Sequence, residues 1–107
     1  MERVFRQFSY KEANFRIASS KFSVITDEIV RQREILEAYI RRIPEFKTSL
    51  VPIPPLPHAP RIAQMMHEAA FVVGVGPMAA VAGAFAQIAA EKALDERAEE
   101  AIVENGG

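Results

Sequence analysis

Gly74-Val-Gly-Pro-Met78 is the stretch of this chain whose residue types and spacing come nearest to a ligand site. Two glycines permit positive φ or close backbone approach. Pro77 is preset for a first helical turn, where its missing N–H costs nothing. Ala79, Ala80, Ala82, Gly83, Ala84, Ala86, Ala89 and Ala90 follow, so the helix they form is thin-skinned on nearly every side. The N–H groups around Pro77 to Ala80, with the helix dipole behind them, form a candidate anion site. Three readings compete: a tightly packed buried helix, a phosphate or pyrophosphate cradle, and a membrane span. Gly-x-Gly-Pro is neither a full dinucleotide fingerprint nor a P-loop. Ala69 to Ala90 is uncharged and long enough to cross a bilayer, but Gly74 to Pro77 breaks it in the middle.

Asn105-Gly106-Gly107 is a second glycine turn that could serve the same ligand. Other candidates are sparse. His58 and His67 are the only histidines, and without cysteine or closely spaced carboxylates they do not make a zinc set. His67-Glu68 is not the start of HExxH, because Phe occupies position 71. The carboxylate pairs Asp27/Glu28 and Glu99/Glu100 fall on surfaces expected to be exposed, whereas acid–base work needs a sheltered group. Ser9, Ser19, Ser20, Ser23, Thr26, Thr48 and Ser49 have no recognisable base beside them. Neither a catalytic residue nor a metal ligand is assigned.

The elements that would position these residues belong to a chain of 107 residues, half of them apolar and a quarter charged, as in one ordinary globular domain. The net charge of −1 gives no field for nucleic acid. Residues 1–61 carry +4 and residues 62–107 carry −5, so the halves offer complementary surfaces. With no cysteine, no signal-peptide core and the membrane reading set aside, the expected location is the cytoplasm.

In chain order, Arg3 to Tyr10 and Asn14 to Ser19 read as two antiparallel strands joined through Lys11-Glu12-Ala13. Ile25, Ile29, Leu36, Ile40 and Ile43 predict a long amphipathic helix over Val24 to Ile43, with Ser23 as a possible cap. Asp27 with Arg31, and Glu37 with Arg41, are favourable i,i+4 pairs. Val51 to Pro60 holds five prolines and predicts an extended strap rather than a linker. Ala59-Pro60 opens a helix through Ile62, Met65, Met66, Ala69, Ala70 and Val73. Glu91 to Glu100 reads as the polar tail of the small-residue helix. Ala101 to Glu104 reads as a strand that must find its partner outside these residues, in a C-terminal remainder or another copy.

Several segments together resemble an uncharacterised family related to ApbE-type proteins. They are Glu28-Ile-Val-Arg-Gln-Arg33 with Leu36 and Tyr39-Ile40, Pro44-Glu-Phe46 with Thr48-Ser-Leu50, Gly74 to Ala84, and Val103-Glu-Asn-Gly-Gly107. ApbE-type enzymes take FMN from FAD and attach it to a threonine of a target protein, using magnesium or a similar ion. The resemblance implies a fold of strands and packed helices with a dinucleotide-sized groove, and a chain that is the N-terminal part of a longer domain. It departs from the catalytic pattern: Ala82 stands at the lysine position and Gln87 at a later acidic one.

The expectation is therefore one α+β domain over 1–107, part of a larger ApbE-like one, with an antiparallel hairpin, a further strand and two principal helices. Its expected ligand is a flavin (FAD or FMN) or another phosphate-bearing, nucleotide-like molecule. The binding residues would be Gly74, Gly76, Pro77, Met78, Gly83, Asn105, Gly106 and Gly107. The alternative is a non-catalytic assembly module whose small-residue helix packs on another chain, as in a homo-oligomer, or on a remainder of the same protein. Gly74 to Met78 discriminates between them: a ligand site leaves these amides open, and an assembly surface covers them.

Overall fold

The structure, a computed structural model, describes residues 3–106. It is α+β: a three-stranded antiparallel sheet with four α-helices and a 3-10 turn. The chain divides into two compact units, one holding residues up to Arg31 and from Phe85 onward, the other Gln32–Ala84.

The first unit is built on the sheet. Strands β1 (Arg6–Tyr10) and β2 (Ala13–Ser19) form the expected hairpin. Lys11 takes φ 53 at its tip, the left-handed backbone that a two-residue turn requires. Alternation then sorts the side chains: Phe15 and Ile17 are buried, while Gln7, Asn14 and Arg16 are exposed. The start of helix α1 (Phe22–Arg42) supplies buried Ile25 and Ile29, and helix α4 (Val81–Asp95) supplies Phe85, Ile88, Ala89 and Ala93.

Three expectations about β3 and α4 are corrected in this unit. Strand β3 spans Ala101–Gly106 and pairs with β2, from Asn14↔Gly106 to Ser19↔Ala101, so its partner lies within the chain. Asn105 and Gly106 are therefore ladder residues rather than a turn; Gly107 lies outside the described residues. Helix α4 stops at Asp95 instead of continuing to Glu100: Arg97 turns left-handed at φ 67, and the Ala98 N–H closes on the Ala93 carbonyl at 2.9 Å. An arginine has taken the left-handed closing position usually given to glycine.

Helix α1 begins two residues before the expected start, so Ser23 sits inside its first turn rather than capping it. Glu28 is buried, not exposed, and takes Arg31 at 3.0 Å, the partner expected for Asp27.

The second unit contains the end of α1, the short helix α2 (Glu45–Thr48), the proline strap, helix α3 (Arg61–Val73) and a 3-10 turn (Pro77–Ala80) leading into α4. Leu36, Tyr39, Ile43, Phe46, Ile62, Ala63, Met66 and His67 are among its buried residues. Tyr39 takes the inward position and leaves Ile40 half-buried, which shifts the buried stripe of α1 by one residue from the reading above. The Tyr39 ring meets Phe46 edge-on, with centroids 5.3 Å apart. Among the described residues no single helix is long and apolar enough to cross a membrane.

Candidate functional site

Gly74 ends α3. Its φ of 84 is left-handed, and its N–H bonds the Ala70 carbonyl at 2.7 Å. The Val75 N–H reaches the same carbonyl at 3.2 Å, so the turn that sequence marks as a cradle begins as a helix stop.

Gly76 has a different task. A Cβ there would run into the Ser49 carbonyl oxygen, with the Ser49 carbonyl carbon at 2.8 Å and Leu50 Cα at 3.2 Å. Gly76 and Pro77 are buried. The close approach that Gly76 permits is made by this chain's own backbone after α2. A phosphate cannot use the same face, so the corner does not fit the cradle of a flavin pyrophosphate at Gly76. Pro77 opens the 3-10 turn, as its fixed φ favours, and Met78 follows half-buried.

Gly83 is the opposite case. It is exposed, and a Cβ would meet nothing within 4 Å. Ala79, one turn earlier, is also exposed. In the same unit Val72 and Val73 project into solvent at 86% and 70% exposure. The small residues around Gly83 thus leave helix backbone open to a neighbour.

Of the second limb, Gly106 lies on the exposed face of the sheet, opposite Asn14. With Gln7, Ser9, Asn14, Phe15, Arg16 and Glu104 it bounds a shallow cleft of about 310 Å³. Arg16 is held there by Glu104 at 2.9 Å, and Ser9 donates to Asn14 Oδ1 at 2.7 Å. Asn105, its neighbour, is half-buried and opposite Phe15. Gly74, Gly76, Pro77, Met78 and Gly83 belong to one unit, and Asn105 and Gly106 to the other.

The polar centre that sequence reading passed over is Tyr39 with His67, both 2% exposed. The Ile53 carbonyl can only accept, so the 2.8 Å contact with His67 Nδ1 places the proton on that nitrogen. Nε2 then accepts from the Tyr39 hydroxyl at 2.8 Å, and the Tyr39 oxygen accepts the Leu56 N–H at 3.1 Å. Two helices thereby hold two points of the proline strap. A signal was present: His67 falls on the α3 stripe of Ile62, Ala63, Met66 and Ala70, and Tyr39 on the α1 stripe of Leu36 and Ile43. Both ring nitrogens are committed to structure. Among the described residues no cluster of three or more His, Asp or Glu could hold a metal ion.

Residues 6–107 match the family described as AbpE bacteria. A UPF0280 protein of Methanococcus maripaludis (strain C7) is 42% identical over 104 residues, covering 94% of this chain and 42% of that protein. A UPF0280 protein of Archaeoglobus fulgidus is 39% identical over 104 residues, covering 94% and 44%. One of Methanopyrus kandleri is 45% identical over 94 residues, covering 84% and 36%. The chain spans less than half the length of these relatives.

Proposed function

The chain belongs to the AbpE bacteria family, and on that premise we propose that it is a non-catalytic structural module of an ApbE-like protein. The observation that carries this reading is the Ser49 backbone seated against Gly76, which turns the candidate cradle into an internal packing contact. What remains open is the face around Gly83, which takes another polypeptide rather than a phosphate. Small residues let a neighbouring backbone approach closely, and Gly83 and Ala79 on this helix are both exposed.

Gly83→Glu tests this. The new side chain has free space, so the fold should persist, while a charged, bulky group on the open face should abolish association through it. Sedimentation of both proteins reads the outcome. An assembly that survives Gly83→Glu unchanged, or a wild type that never associates, refutes the role of this face.

A second reading, binding of FMN, FAD or a related phosphate-bearing molecule with flavin-transferase ancestry, is favoured by one observation. Gly106, a residue the family resemblance selects, opens the sheet-face cleft beside Asn14, Ser9 and Arg16. A phosphate there would compete with Glu104 for the Arg16 guanidinium. Flavin fluorescence titration of the wild type and of Arg16→Gln tests it. Binding weakened at least about tenfold by the substitution supports the site, and no binding at millimolar flavin removes it.

A further inference from the structure

The Leu56 N–H, the Tyr39 hydroxyl, the His67 ring and the Ile53 carbonyl form a chain of hydrogen bonds that runs in one direction only. All of these groups belong to the second unit. The amide donates to the Tyr39 oxygen, the hydroxyl donates to Nε2, and Nδ1–H donates to the carbonyl. The direction cannot reverse, because an amide N–H only donates and a carbonyl only accepts. Among the described residues no buried side-chain nitrogen or oxygen is left without a partner, so the chain is complete as it stands. One more proton has no place in it. An imidazolium carries two N–H donors and no acceptor. Nε2–H would then point at a tyrosine oxygen that already takes the Leu56 N–H, and the hydroxyl hydrogen would lose its acceptor.

The groups around the ring do not compensate. From α2 comes buried Phe46, its ring centroid 4.9 Å from that of His67, while Glu45 and Lys47 beside it are exposed. From α1, Arg42 lies over the Tyr39 ring at 5.9 Å and brings a like charge. The 3-10 turn Pro77–Ala80 carries no titratable side chain. On the strap side, His67 and Leu56 line a cleft of about 560 Å³ that His58 and Glu68 also border, both exposed. The Glu68 carboxylate sits where water screens it, and His58 is a second imidazole rather than a counter-charge. We propose that protonation of His67 releases the proline strap, so that the cleft between strap and α3 opens in acid. With the strap lifted from its anchors at Ile53 and Leu56, the charged ring and the freed hydroxyl reach water. The closed strap thus binds one proton fewer than the open one. Its hold is complete above the range in which the imidazole titrates and weakens as pH falls through it. This device is independent of the faces at Gly83 and Gly106 and goes beyond both readings of function.

Nitrogen NMR of the whole chain follows the ring, and hydrogen exchange follows the strap. At neutral pH the His67 ring should carry its proton on Nδ1, with Nε2 bare. As the second proton adds, protection of the Leu56 amide, corrected for the intrinsic exchange rate at each pH, should fall at least about tenfold. The Leu36 amide in α1 should keep its protection through that step. His58→Asn, which tolerates the left-handed backbone at this position, should leave the step in place. His67→Gln should abolish it, since the carboxamide can make both hydrogen bonds and does not titrate. In Tyr39→Phe the Leu56 amide should be weakly protected at every pH, which distinguishes this relay from general loosening in acid. The proposal is overturned if Leu56 protection ignores the titration of His67, if Leu36 loses protection in the same step, or if the ring stays neutral until the whole chain unfolds. A step that survives His67→Gln and disappears in His58→Asn belongs to the other histidine and overturns it as well.

Discussion

Replacing Tyr39 with phenylalanine isolates the contribution of one buried hydroxyl. The ring stays, with its edge contacts to Phe46 at 5.3 Å and to His67 at 5.8 Å, so little apolar burial changes. Two groups lose their partner: His67 Nε2, on a residue 2% exposed, and the Leu56 N–H on the half-buried strap. An unsatisfied buried donor or acceptor costs about 1–3 kcal/mol. The histidine should sit near the upper part of that range and the strap amide near the lower, giving roughly 3 kcal/mol together. That is a large share of the stability of a small domain.

Urea denaturation of the wild type and Tyr39→Phe should show a lower midpoint with an unchanged slope, because the surface exposed on unfolding is the same. A double-mutant cycle with His67→Phe adds a second reading. If the hydroxyl and the imidazole act through one bond, their coupling energy should be about 1 kcal/mol or more. Hydrogen exchange at Leu56 should accelerate in Tyr39→Phe beyond the global change. A loss of stability below about 0.5 kcal/mol, within the range of an ordinary surface substitution, would refute the claim that this relay pins the strap.

The glycines give a graded series measurable in the same assay. Gly76→Ala should destabilise by at least about 2 kcal/mol, since its Cβ meets backbone that cannot move aside cheaply; a neutral result would reject the packing role of Gly76. Gly74→Ala should cost about 1 kcal/mol through its left-handed φ alone, having open space around it. Gly83→Ala should stabilise the chain by about 0.5–1 kcal/mol as an exposed helical position. A separate experiment concerns pH. The hydrogen bond from Arg3 and the charge of that guanidinium hold the Glu100 carboxyl below its ordinary value. The folded value being the lower one, this contribution is present above the ordinary carboxylate range and lost as pH falls through the lowered value. Glu100→Gln should therefore differ slightly from wild type at neutral pH and converge with it in acid, as read by midpoints across pH; a constant difference would contradict the pairing.

How far the sequence could be read depended on whether a residue's role is set by its neighbours in the chain or by a distant contact. The hairpin follows from the alternation of Phe15 and Ile17 with Arg16, although Ala18, read onto the same open face as Arg16, is buried; the long helix follows from the spacing of Ile25, Ile29 and Leu36, and these are local patterns. Left-handed turns at Lys11, His58 and Arg97 carry none of the glycine that usually announces them, so the end of α4 was hidden. The candidate site shows the limit most clearly. Gly74, Gly76 and Gly83 are the same residue within ten positions, yet one supplies a backbone angle, one admits the Ser49 carbonyl, and one leaves open space. Sequence shows that a Cβ is missing at each. What occupies the gap at Gly76 is a segment more than two dozen residues earlier, brought there by the helices and the strap between them. A glycine motif followed by a helix is therefore evidence for close approach, and only the fold distinguishes approach by phosphate from approach by the chain itself. Here it is the chain at Gly76 that makes the approach.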